Sequence, residues 1–573
     1  MQTISASAKE NCYQLLSSLY GRRADFESWW LEFATAVDQL AQARPPALRQ
    51  LDAERTRSPD WFLSERMLGY CAYTERFAGS LAGVAKRIPH LKSLGVTYLH
   101  LLPFYLTREG GEDANDGGFA IADFEQIAPH LGSMQDLAPL CQQLRDAGIS
   151  LCADFVLNHV ADTHPWALAA KQGDKKYLDY FRSFPDRSVP EQYEQSLGEV
   201  FPETAPGNFT YHPESGRWFW TTFYPYQWDL NYENPQVFSE IALTLLRLAN
   251  RGVEIFRLDS APFLWKRLGS NCMNLPEAHT LLSALRALCA WAAPAVLLKS
   301  EAIVPAAQAA AYLGTEGREE CQIAYHGALM ASAWASLVEQ NVALVQAVIA
   351  ATAKAPRHTS WLTYVRCHDD IVWSTLKPQV QDLGGDYLSR VGHVSRFLAG
   401  QVEGSYAHGL SFQTAGNSEA VHGTNGMCAA LTGYSAAARY AQERILILYA
   451  LACAHGGVPV IYMGDELGQG NDADGWHRQD SRWVHRPYWD ESLFEASPSL
   501  LQEMKALFQK RAAHPDFAAG QPLQLLDSAC PAVLLFKRGQ NTLCAFNFSD
   551  AEQELKSLDL RLAPWTYRFI AMK

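Results

Sequence analysis

Apolar residues along this chain follow two spacings, and the order in which they alternate predicts the architecture. Residues 1–65 show helical spacing: ENCYQLLSSLYGR and FESWWLEFATAVDQLAQA each carry apolar stripes, and Pro45-Pro46 ends the second helix. From residue 66, short strand-like runs alternate with helical segments. The runs are GYCAY, VTYLHLLPF, ISLCADFVLNH, VEIFRLDS, AVLLKSEA, CQIAYH, WLTYVRCHD and VPVIYMGDE, with helices such as MQDLAPLCQQLRDAG between them. Eight strand-helix units of this kind predict an α/β fold, a closed (β/α)8 or TIM barrel over residues 66–494.

Two stretches interrupt the alternation. Residues 160–232, rich in Pro, Tyr and Trp, follow the third strand, and residues 376–438, Gly-rich and weakly patterned, follow the seventh. Both are expected as inserted subdomains shaping the barrel mouth. Beyond residue 495 a helix, LLQEMKALFQKRAAH, leads to LQLLD, AVLLFKRG, NTLCAFNFS and TYRFIAM. These predict an antiparallel, β-sandwich-like C-terminal domain over residues 495–573, with a helical N-terminal domain over residues 1–65 at the other end.

At 573 residues the chain is too long for one hydrophobic core, consistent with this division. The formal charge is −13 and no basic block is present, which argues against nucleic acid or an anionic membrane as partner. A neutral small molecule is compatible with that balance. The N-terminus has no basic region leading into a long apolar stretch, so no signal peptide is expected, and no apolar run is long enough to span a bilayer. The 12 cysteines are scattered without metal-ligand spacing and read as reduced thiols of a cytoplasmic protein, a monomer or homodimer.

The candidate chemistry sits at the ends of the strand-like runs, which converge on one face of a barrel. Asp259 ends VEIFRLDS, Glu301 follows LLKS, and Asp369 lies in VRCHDD beside His368 and Asp370. ADFVLNHV brings Asp154, Asn158 and His159 to the end of the third strand. Arg257 stands two positions before Asp259, so both side chains point to the same side, and a guanidinium there keeps the acid ionised. Taken singly, an Asp ending a strand reads as a helix cap, and His159 as a core histidine. Three acids, two histidines and an arginine at strand ends together point to glycoside cleavage, which needs two carboxylates facing one bond.

The segments DFVLNHV, FRLDS, KSEA and RCHDD resemble the four signature regions of the α-amylase superfamily, glycoside hydrolase family 13. FPDR, WTTFYPYQWDLNYENP, FLWKRLGSNCMNLPEAH, APAVLLKSEAIV, GDELGQGND and RWVHRP narrow the resemblance to the amylosucrase and sucrose hydrolase group. The resemblance implies a retaining reaction on sucrose, with Asp259 the nucleophile, Glu301 the general acid/base and Asp369 the stabiliser of a distorted glucosyl ring. It implies that His159, His368 and Asp370 bind the sugar, that Arg257 holds Asp259, and that Phe119 replaces a tyrosine platform. It also implies that a salt bridge between Asp116 and Arg486 closes the pocket floor. No cofactor or metal is implied. Polymer-forming members carry arginines where this chain has Gly198 and, in the second insertion, GNSEAVHG. Their absence favours hydrolysis to glucose and fructose over the alternative, an amylosucrase building an α-1,4-glucan. Lesser alternatives are another α-glucoside as substrate and a non-catalytic carbohydrate-binding homologue.

Overall fold

The structure, a computed structural model, describes residues 2–413, 422–478 and 480–572. Eight parallel strands pair in chain order and close into a barrel. They are β1 Gly69–Ala72, β2 Tyr98–Leu101, β3 Ser150–Val156, β4 Ile255–Asp259, β5 Leu297–Ser300, β6 Ile323–Tyr325, β7 Ser360–Tyr364 and β8 Val458–Tyr462. Each falls within one of the apolar runs. Their residues are buried on both faces, as parallel strands require when helices cover the outside and side chains fill the inside. The ring closes where β1 meets β8, Gly69 opposite Val460.

The register across β3, β4 and β5 positions the site. Arg257 lies opposite Asp154 on one side and Lys299 on the other, so these three charged side chains enter the barrel at one level. Asp259 and Glu301 follow two residues later on their strands, one level nearer the mouth.

Three helices precede the barrel: α1 Gln2–Tyr20, α2 Phe26–Ala43 and α3 Pro46–Arg57. The proline pair ends α2 as expected, but it also starts α3, which the sequence pattern did not disclose. Pro46 takes the first helical position, where its missing N–H is no loss. These helices pack on α4, Pro235–Asn250, and α5, Pro276–Ala292. Trp29 donates to Ser239 Oγ at 2.9 Å, and Trp291 to Asp38 at 3.0 Å. A buried Arg44–Asp52 ion pair fastens α3, since Asp52 also accepts the backbone N–H of Ala295 at 3.0 Å.

Between β3 and β4, Ser183–Phe184, Arg217–Trp220 and Phe209–His212 form a small antiparallel sheet, and His159–Ala161 pairs with Gln227–Asp229. Between β7 and β8, Ile371–Val372, Gly423–Asn425 and Leu410–Phe412 form another, beside a helix at Tyr387–Leu398. A further hairpin, Tyr105–Thr107 with Ile121–Ile127, follows β2 and carries residues 116–119 at its tip. Past the barrel, Leu523–Leu526, Val533–Arg538, Thr542–Asn547 and Tyr567–Ala571 form a four-stranded antiparallel sheet. Alternation gives it two apolar faces. Leu534, Phe536, Cys544 and Phe546 join the main core, while Val533, Leu535, Leu543 and Ala545 pack under the hairpin that carries Leu555 and Leu562. All 12 cysteines are free thiols. Among the described residues no helix is long and apolar enough to cross a membrane.

Removing one partner of the Arg44–Asp52 pair strands a buried charge. Asp52→Ala is therefore expected to lower stability by about 3–5 kcal/mol, read as a fall in the urea midpoint, with the cavity chemistry untouched.

Candidate active site

A single guanidinium organises the mouth of the barrel. Arg257 Nη1 donates to Asp154 Oδ1 and, at 2.6 Å, to Asp259 Oδ1. Its Nη2 donates to Glu301 Oε1 and lies 3.8 Å from Asp369 Oδ2. Burial opposes the charge of Arg257, but Asp154, Glu301 and Asp259 outweigh it and push its pKa well above the ordinary value. Asp154 is fixed from the other side by His100 Nε2 at 2.8 Å. Burial alone would raise the Asp154 carboxyl, yet Arg257 and His100 hold it at about 2.

The two acids at the strand ends differ in environment. Asp259 has both oxygens occupied, one by Arg257 and the other by Ser260 Oγ at 2.6 Å, which stabilises the carboxylate. Glu301 is driven well above the ordinary glutamate range, first by burial and then by Asp259, Asp369 and Asp154, with Arg257 opposing. One carboxyl is thus supported as an anion and its neighbour as an acid, the division that general acid catalysis beside a nucleophile requires. Asp369 is the most exposed of the three at 25% of its side chain. Its Oδ1 lies 3.5 Å from Arg482 and 3.8 Å from Arg486.

Beside Asp369, His368 is buried with neither ring nitrogen bonded within the protein. Burial, then Arg257 and Arg486, depress its pKa well below the usual histidine value, so it is a neutral ring with a donor and an acceptor to offer. Phe119 stacks on it at 5.2 Å and 12°, and the Arg257 guanidinium lies 5.3 Å from the centre of the same Phe119 ring. His159 is also buried and depressed by burial, with Asp259, Asp229 and Asp116 partly offsetting. Its Nε2 lies 3.1 Å from Gln227 Nε2, and its Nδ1 has no hydrogen-bond partner.

The floor differs from the expectation in one respect. Asp116 pairs with Arg482, at 2.6 Å, and not with Arg486. Both arginines belong to RWVHRP, where Ser481–His485 forms a short 3-10 helix that turns both inward. Arg482 Nη2 is shared between Asp116 and Asp480, each at 2.6 Å, and Gln227 donates to the second oxygen of Asp116 at 3.1 Å. Arg486 instead donates from Nε to the backbone carbonyl of His368 at 3.0 Å and faces the rings of Tyr73 and Trp483. Asp116 holds a left-handed backbone, φ 54°, leading into Gly117, where a Cβ would lie 2.4 Å from Arg486 Nη1. The glycine therefore admits the guanidinium.

These groups surround a cavity of about 290 Å³. Asp116, Phe119, His159, Asp259, Glu301, His368, Asp369 and Asp370 all line it, whereas Arg257 and Arg486 stand behind the wall. Asp370 is raised by burial, with His422 Nε2 3.9 Å from its Oδ2. Gly423 allows this, since a Cβ there would overlap Asp370. Gly198 also lines the cavity, with nothing near its missing Cβ. Of GNSEAVHG, residues 416–421 lie outside the described residues.

Among the described residues one donor set could hold a metal ion, Cys367, His368 and Asp369, with atoms within 4.8 Å of one another. Three guanidinium groups lie within 3.8 Å of Asp369, an environment that repels a cation. Sequence reasoning missed Arg482, Asp480 and Gln227, although Arg482 and Gln227 stand inside quoted motifs. It also left His100 and Lys299 unread; their signal was polarity at inward positions of otherwise apolar strands.

Comparison with known proteins identifies the family and agrees with the barrel fold. The α-amylase catalytic domain family matches residues 51–381. Trehalose synthase/amylase TreS of Mycobacterium tuberculosis is 28% identical, the match covering 85% of this chain and 81% of that protein. Glucosylglycerate phosphorylase of Allomeiothermus silvanus is 27% identical over 98% of this chain and 96% of its own length. The crystal structure of sucrose 6F-phosphate phosphorylase from Thermoanaerobacter thermosaccharolyticum superposes with a TM-score of 0.66 at 18% identity, covering 84% of this chain and 93% of that one. That last likeness speaks to the fold.

A double-mutant cycle checks the floor pairing. Asp116→Ala with Arg482→Ala is expected to show a coupling of about 1–3 kcal/mol in unfolding free energy, and Asp116→Ala with Arg486→Ala a smaller one, since Arg486 makes no ion pair with Asp116.

Proposed function

From the premise that the chain belongs to the α-amylase family, we propose that it hydrolyses sucrose to glucose and fructose with retention of configuration. The observation that carries the mechanism is the guanidinium shared by Asp259 and Glu301. Binding to adjacent nitrogens of one fork favours the close spacing of a retaining pair, about 5–5.5 Å, over the wider gap in which an inverting enzyme seats its water.

In this reading a glucosyl unit enters with its anomeric carbon toward Asp259. Glu301, kept protonated by burial and three neighbouring acids, donates its proton to the bridging oxygen as fructose leaves. Asp259 attacks from the opposite face and forms a β-glucosyl ester. Glu301, now a carboxylate, takes a proton from water, which displaces Asp259 and restores both groups. Asp369, held by guanidinium groups on three sides, accepts hydroxyl hydrogen bonds that strengthen as the ring flattens. The Asp116–Arg482 pair supports a pocket closed at its floor, suited to one terminal glucosyl unit.

Water as acceptor is favoured by Gly198 on the cavity wall, a position that offers no side chain to hold a sugar chain. The rival reading, transfer to a growing α-1,4-glucan, and the other α-glucosides suggested by the relatives' names are tested together. Sucrose alone is expected to yield glucose and fructose in equal amounts. A marked glucose deficit with iodine-staining product would favour transfer. Turnover of trehalose or glucosylglycerate in place of sucrose, or a requirement for inorganic phosphate, would overturn the substrate assignment.

Asp259→Asn and Glu301→Gln are each expected to lower kcat/KM by about 10²–10⁴-fold with the fold intact. Because Glu301 must be protonated, activity should fall as pH rises through the elevated pKa of the coupled acids. Gly198→Arg, which has open space for its side chain, should raise the fraction of glucosyl units passed to added maltooligosaccharide, measured by product chromatography.

A further inference from the structure

Each of the two acids stands two residues beyond an inward-pointing cation. Asp259 follows Arg257 on β4, and Glu301 follows Lys299 on β5, with the two cations in register. Arg257 turns toward the mouth and takes up the carboxylates. Lys299 does not. It is 1% exposed, and among the described residues its ammonium has no carboxylate partner; it donates to His100 Nδ1 at 3.3 Å and lies over the rings of Tyr98 and Tyr325. A buried ammonium without a counter-charge at contact is costly, which sets this position apart from an ordinary barrel-lining residue.

The donor inventory fixes what it does. An ammonium only donates, so His100 Nδ1 must carry a lone pair toward it. The thiol of Cys71, 3.3 Å from the same nitrogen, is a second donor. The ring proton then resides on Nε2, where it meets Asp154 Oδ2 at 2.8 Å. Asp154 accepts from Arg257 with its other oxygen. An unbroken chain of hydrogen bonds thus links Lys299 through His100 to Asp154, which accepts from His100 on one oxygen and from Arg257 on the other, and Arg257 in turn donates to Asp259 and Glu301.

We propose that Lys299 is a positioning residue for the reaction: its ammonium locks His100 in the Nε2–H form, and His100 in turn holds Asp154 and Arg257 in the orientation that presents one guanidinium to both Asp259 and Glu301. Lys299 also supplies a second buried positive charge among the acids. The titratable and charged groups facing Lys299 and His100 are Cys71 on β1, Tyr98 on β2, Cys152 and Asp154 on β3, Arg257 on β4 and Tyr325 on β6. Glu301 follows β5, Cys367 and His368 follow β7, and Tyr462 on β8 lies beyond Cys71. Only Arg257 shares the sign of Lys299 at neutral pH, so its loss leaves the acids under-compensated. His100 is pushed down to about 4 by burial and by Lys299, against the pull of Asp154. Loss of Lys299 removes a positive charge from the cluster, so His100 and Glu301 both hold their protons to higher pH.

The inference rests on the acid-base reading of Asp259 and Glu301, and its test carries one arm independent of any substrate. In Lys299→Met, the basic limb of the pH dependence of kcat, which Glu301 sets, should move upward by about one unit. KM should change little, because Lys299 does not line the cavity. Lys299→Arg should keep this limb near that of the parent. Lys299→Gln, neutral and of similar length, serves if Lys299→Met does not fold. Profiles are measured on sucrose and on an aryl α-glucoside. In parallel, nitrogen spectra of the 15N-histidine-labelled full chain should find His100 neutral and Nε2-protonated in the parent from about pH 5 to 8, and titrating in that window once Lys299 is neutralised. A folded, neutral-299 variant whose basic limb and His100 resonances coincide with the parent's, however much its melting temperature falls, would overturn the proposal. Failure of the parent to cleave sucrose would sink the substrate assignment alone, since the His100 titration still decides this inference.

Discussion

The burial of one arginine among too many acids is the constraint on which this structure depends. Arg257 is 1% exposed and shared among Asp154, Asp259 and Glu301, with Asp369 just beyond contact. Taking a guanidinium out of water costs several kcal/mol, and excellent geometry with several carboxylates is what offsets it. The same count governs protonation. Four acids cannot all ionise around one cation, so the group least supported by other donors keeps its proton. Asp154 has His100, Asp259 has Ser260, and Asp369 has two further arginines. Besides Arg257, Glu301 has a single long contact from the backbone N–H of Ser260 at 3.3 Å. Its elevated pKa follows from that shortage as much as from burial.

Strand register makes this arrangement reproducible. Asp154, Arg257 and Lys299 are lateral neighbours on β3, β4 and β5, so closing the barrel alone brings them together. The upper part of the site depends on loops. Asp116 and Phe119 come from the hairpin after β2, Gln227 from the strand paired with His159, and Arg482 from a short helix after β8. Asp116 and Arg482 pair with each other and both line the cavity, so the floor and the walls stabilise one another. Substitutions at the floor should accordingly affect folding and binding together.

How much of this was legible in the chain varies with the range of the interaction. The eight strands and the acids at their ends were readable because short continuous apolar runs and their termination are local signals. Arg257 was readable from its spacing to Asp259. The partner of Asp116 was not. Arg482 and Arg486 stand four residues apart in one motif, and which one meets a carboxylate 366 residues away depends on the turn that carries them. Helix α3 was hidden because Pro45-Pro46 signals a stop and a start equally well. Lys299 passed as part of a familiar-looking KSEA segment, although a lysine inside an apolar strand is itself a signal that a buried polar layer exists.

The division between a register-built lower layer and a loop-built upper one bears on how such a site can change its reaction. Bond cleavage depends on the lower layer, where a one-residue slip would turn every acid out of the barrel. In the proposed reading, acceptor choice depends on groups such as Gly198 and His422, which line the cavity from segments outside the barrel strands. In the proposed reaction the glucosyl ester on Asp259 is common to hydrolysis and to transfer. What differs is whether a sugar or water occupies the space beside Glu301 when the proton is taken back. Holding a sugar there requires hydrogen-bond donors and acceptors pre-placed on the wall, since ordering an acceptor otherwise consumes its binding energy. A glycine facing open space supplies none. The relatives at 28% and 27% identity are named as a trehalose synthase/amylase and a glucosylglycerate phosphorylase; in the proposed reading, such a spread of names is what an upper layer that can be rebuilt without disturbing the charge balance below it allows.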